Sequence, residues 1–491
     1  MLVAAWVLVP SACSSNGGDA TTPPPKTPPC TEPAGPFSPL STRCGHFVDP
    51  DGRVVIMRGV NARIAPVFDE DLGPGKVPLE ALPKLAPDDF TRMRRLGFDV
   101  LRLPVHWSGI EPNDTTPPTY ESKYLDAVAT VVAAAKSADV RVLLDLHQDA
   151  YSKYIGQDGA PLWAIVPPPD TILEGPLTDL GARTLSPQVQ KAFGTFFSRT
   201  DAAGQKLRAR FGLAVSALVK RFVGESAVVG VELMNEPLGA TDDALRAFDE
   251  EIGAAVRAAD PARLVFFEPP ATRNLLDTSA RATSPLPMGG TVYAPHVYTH
   301  VFTPGDDKWN DTFTIDDLRP SNASAREEAD SWGAPLFVGE FGFGPGNPRF
   351  ADYIGWQLQL QDETMASSTF WLWKEMSSGA WGLFDYDAAT DAWTERPAVR
   401  KVFARVAPRA IAGWPESWAW DAKSERFSLE LIGDARVTAP TLLHLPLPED
   451  ALANYRVTCD GGEVTATLDV RGDLPVVCNG PGEHRIVVEA K

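Results

Sequence analysis

The chain is short of cysteine, short of positive charge, and without an apolar run long enough to cross a bilayer. Cysteine occurs 5 times in 491 residues and never in a CxxC spacing, so a cysteine-held metal cluster is the lesser reading of these residues. Lys and Arg number 45 against 64 Asp and Glu, a net charge of −19. Such a surface repels phosphate backbones and anionic headgroups, which argues against nucleic acid as a partner. No Gly-rich nucleotide turn follows the first strand-like run and no flavin motif is present, so neither cofactor nor metal is expected. Hydrophobic residues at 44% and charged residues at 22% are ordinary for a globular chain and exclude a disordered one. What the chain has in quantity is Trp, 13 residues, and Pro, 45 residues. With the acidic balance, these fit a secreted enzyme with a sugar-facing cleft.

Residues Met1 to Ala12 are almost wholly apolar but too few to span a membrane. They read as the end of a secretory signal. Pro10-Ser11-Ala12-Cys13 resembles a bacterial lipoprotein cleavage site, with Cys13 as the lipidated first residue; an ordinary cleaved signal is the alternative. Residues 14–29 form a Ser/Thr/Pro/Gly tether. An exported protein is therefore expected, extracellular or held to a bacterial cell envelope. The other four cysteines fall into two local pairs. They predict disulfides Cys30–Cys44 and Cys459–Cys478, each closing a loop of about 15–20 residues and worth roughly 3 kcal/mol.

At about 150 residues per domain the length allows about three domains, though one α/β barrel takes more than about 250 residues. A hairpin is read over 46–57, around Asp51-Gly52. Strand-like runs follow at 54–61, 99–106, 141–148, 228–235, 263–268, 291–298, 335–342 and 368–374. Helical patterns lie between them at 87–96, 122–138, 205–223, 241–259, 323–332 and 350–365. Two connections have no clear helix. This alternation predicts an α/β chain with a (β/α)8 TIM barrel over residues 46–409, a doubly wound sheet being the rival. After residue 410 short alternating runs at 427–432, 441–447, 455–459, 464–470 and 484–490 predict a small antiparallel β-sandwich.

In such a barrel, catalytic groups sit at the C-terminal strand ends. Polar residues cluster there: Arg102 and His106, His147-Gln148-Asp149, Asn235-Glu236-Pro237, His296 and Tyr298, Glu340, and Trp371 to Glu375. Glu236 and Glu340 each end an apolar run. Burying a charge there is costly without a partner or a function. Two such carboxylates suit glycoside hydrolysis, one protonating the leaving oxygen and the other attacking the anomeric carbon or activating water. Arg102, His296 and Tyr298 suit support of Glu340, and Asn235 suits a sugar hydroxyl. Trp371 and Trp373 offer an apolar platform, although one of them must point away from the cleft. His147 also reads as a core histidine, Asp149 as a helix cap and Lys374 as a solvated charge. Glu268 reads as a supporting or surface acid. Glu232 shares the parity of Glu236 and, if inward, needs a partner such as Arg58 or Arg102.

Leu233-Met234-Asn235-Glu236-Pro237 and Val338-Gly339-Glu340-Phe341-Gly342 resemble glycoside hydrolase family 5, of the cellulase-like clan. Leu144 to Ser152, Asp158 to Ala164, Val189 to Phe197 and Trp371 to Glu375 resemble the endoglycoceramidase branch, over roughly residues 46–491. The segment around Arg63 departs from the basic segment that follows the first strand in that branch. The resemblance implies a retaining hydrolase that cuts the β-glycosidic bond between oligosaccharide and ceramide. It implies Glu236 as acid/base and Glu340 as nucleophile. Arg102, His147, Asp149, Asn235, His296, Tyr298, Trp371 or Trp373, and Lys374 would line the sugar site. The partner would be a glycolipid or glycan, with apolar contact to the substrate membrane through loops 154–184 and 300–313, and the enzyme a monomer. The alternatives are a family 5 endo-β-glycanase acting on polysaccharide and a non-catalytic glycan-binding lipoprotein.

Overall fold

The computed structural model describes residues 26–33, 35–279, 284–301, 314–376, 381–446, 454–465, 467–469, 471–478 and 480–491. The expected signal segment, Cys13, most of the tether, and Phe302 and Trp309 of the second loop lie outside them.

Eight parallel strands form the main sheet: β1 Arg58–Asn61, β2 Val100–Val105, β3 Arg141–Leu146, β4 Val228–Glu232, β5 Leu264–Phe267, β6, β7 Phe337–Phe341 and β8 Ser367–Phe370. Strand β6 is in two pieces, Thr291–Tyr293 and His296–Val297. β8 pairs back onto β1, and β6 pairs onto β7 through His296↔Glu340 and a Tyr293↔Leu336 bridge, so the ring closes as a barrel. Each of the eight runs read from the sequence holds one of these strands. Nearly every strand residue is buried. Strands covered on both faces read as continuous apolar runs rather than alternating ones.

Helices Pro87–Arg95, Ser122–Ser137, Ala202–Arg221, Asp242–Ala259, Ile315–Trp332 and Phe350–Glu363 follow the strands. The helix expected from 323 begins at Ile315. Asp317 accepts the Thr314 N–H at 2.7 Å there, and the helix continues through Pro320. The connection after β3 holds a further helix, Pro187–Phe197, whose Phe193, Phe196 and Phe197 pack in the main core. Among its described residues, the connection after β5 has only the short segment Arg273–Leu276.

A two-sheet sandwich follows the barrel. One sheet orders Ser41–Arg43, His46–Val48, Val54–Val55, Ala407–Ile411, Thr441–His444 and Asp473–Val476, all antiparallel. The other orders Gly413–Asp421, Arg426–Gly433, Gly482–Ala490, Tyr455–Cys459 and Gly462–Glu463. Ile411, Phe427, Leu429, Leu443, Leu474 and Ile486 fill the space between them. The strand expected at 464–470 is absent among its described residues; Asp473–Val476 takes that place in the sheet. The expected hairpin forms, with Asp49 Oδ1 accepting the Asp51 and Arg53 N–H groups at 3.0 and 2.9 Å. It corrects the boundary set at residue 46, because it belongs to the sandwich sheet and not to the barrel. Its Phe47 stacks on Phe266 at 6.1 Å, and with Leu40, Val55, Met57, Val100, Leu143 and Phe337 it forms one apolar cluster. The hairpin thus closes the floor of the barrel, opposite the catalytic strand ends.

Both disulfides form, Cys30–Cys44 and Cys459–Cys478, with Cα atoms 6.2 and 5.6 Å apart. Among the described residues no helix is long and apolar enough to cross a membrane.

Candidate active site

Parallel register brings the strand-end residues to one level. Asn61 pairs with Arg102, Asp145 with Glu232, and His296 with Glu340. Arg102 is wholly buried and fans across the barrel interior. Its Nε donates to Glu232 at 2.6 Å, and Nη1 donates to Glu340 Oε1 at 2.8 Å and Asn61 at 3.0 Å. Its Nη2 donates to Asn235 at 2.9 Å and Glu268 at 3.2 Å, while Asp145 lies 3.2 Å from Nη1. Of the partners suggested for Glu232, Arg102 is therefore the one used. Arg58 turns instead to Asp362, at 2.9 Å. Glu268 is a buried supporting acid, not a surface one.

Four carboxylates around one cation cannot all ionise. Burial and then Glu232 push Glu268 well above the carboxylate range, and burial lifts Glu232 to about 7 against the pull of Arg102. Burial also opposes ionisation of Asp145, but Arg102 and His147 outweigh it and hold Asp145 below the usual value. Burial likewise opposes charge on His147. Asp145, 2.6 Å from Nδ1, outweighs it and keeps the ring an imidazolium.

Glu236 and Glu340 meet above this layer. One oxygen of each and the His296 Nδ1 lie within 4.8 Å of one another. Glu340 accepts from Arg102 on Oε1 and from Tyr298 OH on Oε2 at 2.7 Å. Burial and Glu340 push the Tyr298 phenol well above its usual value, so it remains a donor. Burial raises the Glu340 pKa, and Arg102 opposes that rise. Glu236 is more open, its side chain 24% exposed against 7% for Glu340. Its Oε1 accepts from Asn274 Nδ2 at 2.5 Å and faces His296 Nδ1 at 2.7 Å. Burial holds its pKa above the ordinary value. Its backbone is left-handed, φ 42°, a strained conformation for a residue with a Cβ. Gln148 holds that turn, donating to the Asn235 and Glu236 carbonyls at 2.7 and 2.9 Å. Gly339 leaves room for the pair, since a Cβ there would stand 3.1 Å from the His296 ring.

His147 stacks on Trp371 at 5.7 Å with planes 10° apart, and Asp149 lies 3.7 Å from its Nε2. Burial lifts Asp149 to about 6, with His147 opposing. Asn235, fully buried, donates to the Gln148 carbonyl at 3.1 Å as well as accepting from Arg102. Of Trp371 and Trp373, the second is the one that points away, and Lys374 is directed away from the site as well. Trp373 is wholly buried against Phe98 and Phe384, its Nε1 donating to Asp89 at 3.1 Å. Lys374 pairs with Asp89 at 2.6 Å and lies over Trp393. β8 ends at Phe370, so strand parity stops governing direction before Trp373. In the loop 154–184 expected to contact the membrane, Trp163 packs under Arg210 and against Trp107.

The sequence named Gln148 without a role and did not mark Asn61, Asp145 or Asn274 as site residues. Asn61 and Asp145 still carry a signal: Asn61 ends β1, and Asp145 shares the parity of His147. Asn274, in a connection, carries none. Three triplets at the site place ligand-type atoms within 4.8 Å, Glu236–His296–Glu340, His147–Asp149–Asp158 and Glu232–Glu268–His296, and Arg102 already donates to both carboxylates of the third. In the first, the Arg102 cation and the Tyr298 and Asn274 donors already occupy the carboxylates; in the second, Asp145 keeps His147 protonated. Their chemistry is that of proton transfer and hydroxyl binding.

The Cellulase (glycosyl hydrolase family 5) family matches residues 83–377, and the glycoside hydrolase family 5 C-terminal domain matches residues 405–488. Endoglycoceramidase I of Rhodococcus hoagii is 29% identical over 479 residues, 92% of this chain and 88% of that protein. Endo-glycoceramidase II from Rhodococcus sp., solved as a lactosyl-enzyme intermediate, is similar with a TM-score of 0.73 at 25% identity, covering 91% of this chain and 100% of that one. The same enzyme solved as a ganglioside GM3 complex gives 0.73 and 25%, covering 91% and 99%. With the carboxylate pair at the C-terminal ends of its fourth and seventh strands and both domain matches in place, the chain belongs to glycosyl hydrolase family 5 and is a glycosidase.

Proposed function

We propose that this glycosidase is an endoglycosylceramidase working by double displacement, with Glu340 as nucleophile and Glu236 as acid/base. The observation that carries the reading is the pair itself. Its nearest oxygens fall within 4.8 Å, in keeping with the separation of about 5–5.5 Å between the carboxyl groups of a retaining pair. Glu340, held by Arg102 and Tyr298, attacks the anomeric carbon as Glu236 gives its proton to the departing oxygen. Glu236 then takes a proton from water, which releases the glycan with its configuration kept. His147, Asp149, Asn235 and Trp371 offer hydroxyl partners and an apolar face to the sugar at the cleavage point.

The lipid side rests on the endoglycoceramidase relatives and on the surface of the catalytic face. Among the described residues, nine large apolar side chains are exposed. Val77, Leu162, Ile172, Leu185, Leu275 and Leu276 of these sit in the connections that leave β1, β3 and β5, around the barrel mouth. An acidic protein meets a membrane through such apolar contact rather than through charge. We also read Cys13 as the lipidated residue of an exported, envelope-held protein; Cys13→Ala should then move the protein out of the detergent phase, and an unchanged partition contradicts it. The substrate is tested by incubating the protein with a glycosphingolipid panel and a β-glucan panel and weighing the products. Intact oligosaccharide plus ceramide is expected. Cleavage of β-glucan alone overturns the lipid assignment, and stepwise loss of terminal sugars overturns the endo mode.

A further inference from the structure

An amide donor and a ring nitrogen converge on one oxygen of Glu236. Asn274 Nδ2 is 2.5 Å and His296 Nδ1 2.7 Å from Oε1. They come from different elements, Asn274 from the segment after β5 and His296 from β6. The buried Arg273 joins them: its Nη1 donates to the His296 carbonyl at 3.0 Å and its Nε to Glu328 at 2.8 Å. Glu328 is itself fixed by Tyr293 OH at 2.6 Å and the Ser279 N–H at 2.8 Å. The segment that carries Asn274 is therefore seated on the barrel through a buried ion pair. Glu236 is faced by Arg102 from β2, by Asp145, His147 and Asp149 from β3 and its loop, by Glu268 next to β5, by His296 from β6 and by Glu340 from β7. Burial raises its pKa, and Asn274 is foremost among the groups that lower it.

We propose that Asn274 is a positioning residue for the acid/base: its amide keeps Oε1 as an acceptor, so the transferable proton resides on Oε2, and it favours the ionised form that the second step needs. The inference rests on Glu236 as acid/base. A donor of this kind stabilises the carboxylate and so sets the alkaline limit of the first step, where Glu236 must carry its proton.

The test is the pH profile of kcat/KM on a soluble aryl β-glycoside with a poor leaving group. Asn274→Ala should move the alkaline limb up by about one pH unit, as expected for losing a hydrogen bond to a charged group. Asn274→Asp, nearly isosteric, sets a carboxyl beside Oε1 and should move the limb up as well. A purely structural role lowers the rate at every pH and leaves the limb in place. A limb that stays or falls in both variants, with the circular dichroism of the wild type, overturns the proposal. Glu236→Gln serves as the control. If it keeps the wild-type limb, the acid/base assignment fails; if it abolishes the limb while the Asn274 variants do not move it, only the role of Asn274 fails.

Discussion

Arg102 faces Asp145, Glu232, Glu268 and Glu340 inside the barrel, and the protons these acids retain set the charge beneath the reacting pair. A second set of buried acids lies around Arg63, which pairs with Glu80 at 2.8 Å and Glu375 at 3.2 Å. Glu70 belongs to it, its carboxyl pushed up to about 8 by burial and then by Glu80. The folded protein holds that proton more tightly than the unfolded chain, whose value is about 4.5. The stability it contributes is full below pH 4.5 and is lost as pH rises through 8. Glu70→Gln keeps the neutral shape and removes the loss, so its melting temperature should exceed that of the wild type at about pH 9 and approach it at about pH 4.5. The same difference at both pH values contradicts this. Glu236, Glu340, His147 and His296 were legible because each stands at or next to the polar end of an apolar strand, and Arg102 because it interrupts one. Asn274 and Glu70 were not, because both lie in connections without periodicity, and Asn274 meets its partner 38 residues away in the chain.

At the scale of elements, the barrel strands were legible because double burial leaves an uninterrupted apolar run. What the hairpin pairs with was not. Val54–Val55 lies against Ala407–Ile411, and nothing local in either segment names the other. Of the two Trp offered as a platform, Trp371 stacks on His147 and Trp373 is the one that points away, while Lys374, placed at the sugar site by the resemblance, pairs with Asp89 beyond the end of β8 at Phe370. The hairpin's load falls on Phe47, 2% exposed and stacked on Phe266. Phe47→Ala should cost about 3–5 kcal/mol, read as a fall in the denaturant midpoint. Turnover per folded molecule should stay near that of the wild type, because the floor is remote from the strand ends that carry chemistry. A loss below about 1 kcal/mol would mean that the cluster closes without it.

For the whole molecule, the proposed glycolipid substrate, a net charge of −19 and an apolar mouth together predict a salt response. Added salt should leave vesicle binding unchanged or strengthen it, since screening removes repulsion rather than attraction. Leu275 and Leu276, 52% and 69% exposed, directly follow the residue that touches Glu236. Replacing both with Ser should depress turnover of glycolipid in vesicles far more than that of a soluble aryl glycoside. Equal losses would assign them to packing. The central claim is that Glu340 forms the covalent bond to the sugar. It is tested most directly by incubating the protein with an activated 2-deoxy-2-fluoro β-lactoside and mapping the label by peptide mass spectrometry. The account predicts one fluorosugar on the peptide that contains Glu340 and none in Glu340→Gln; a label on another residue, or turnover to an inverted product with no label, would contradict it.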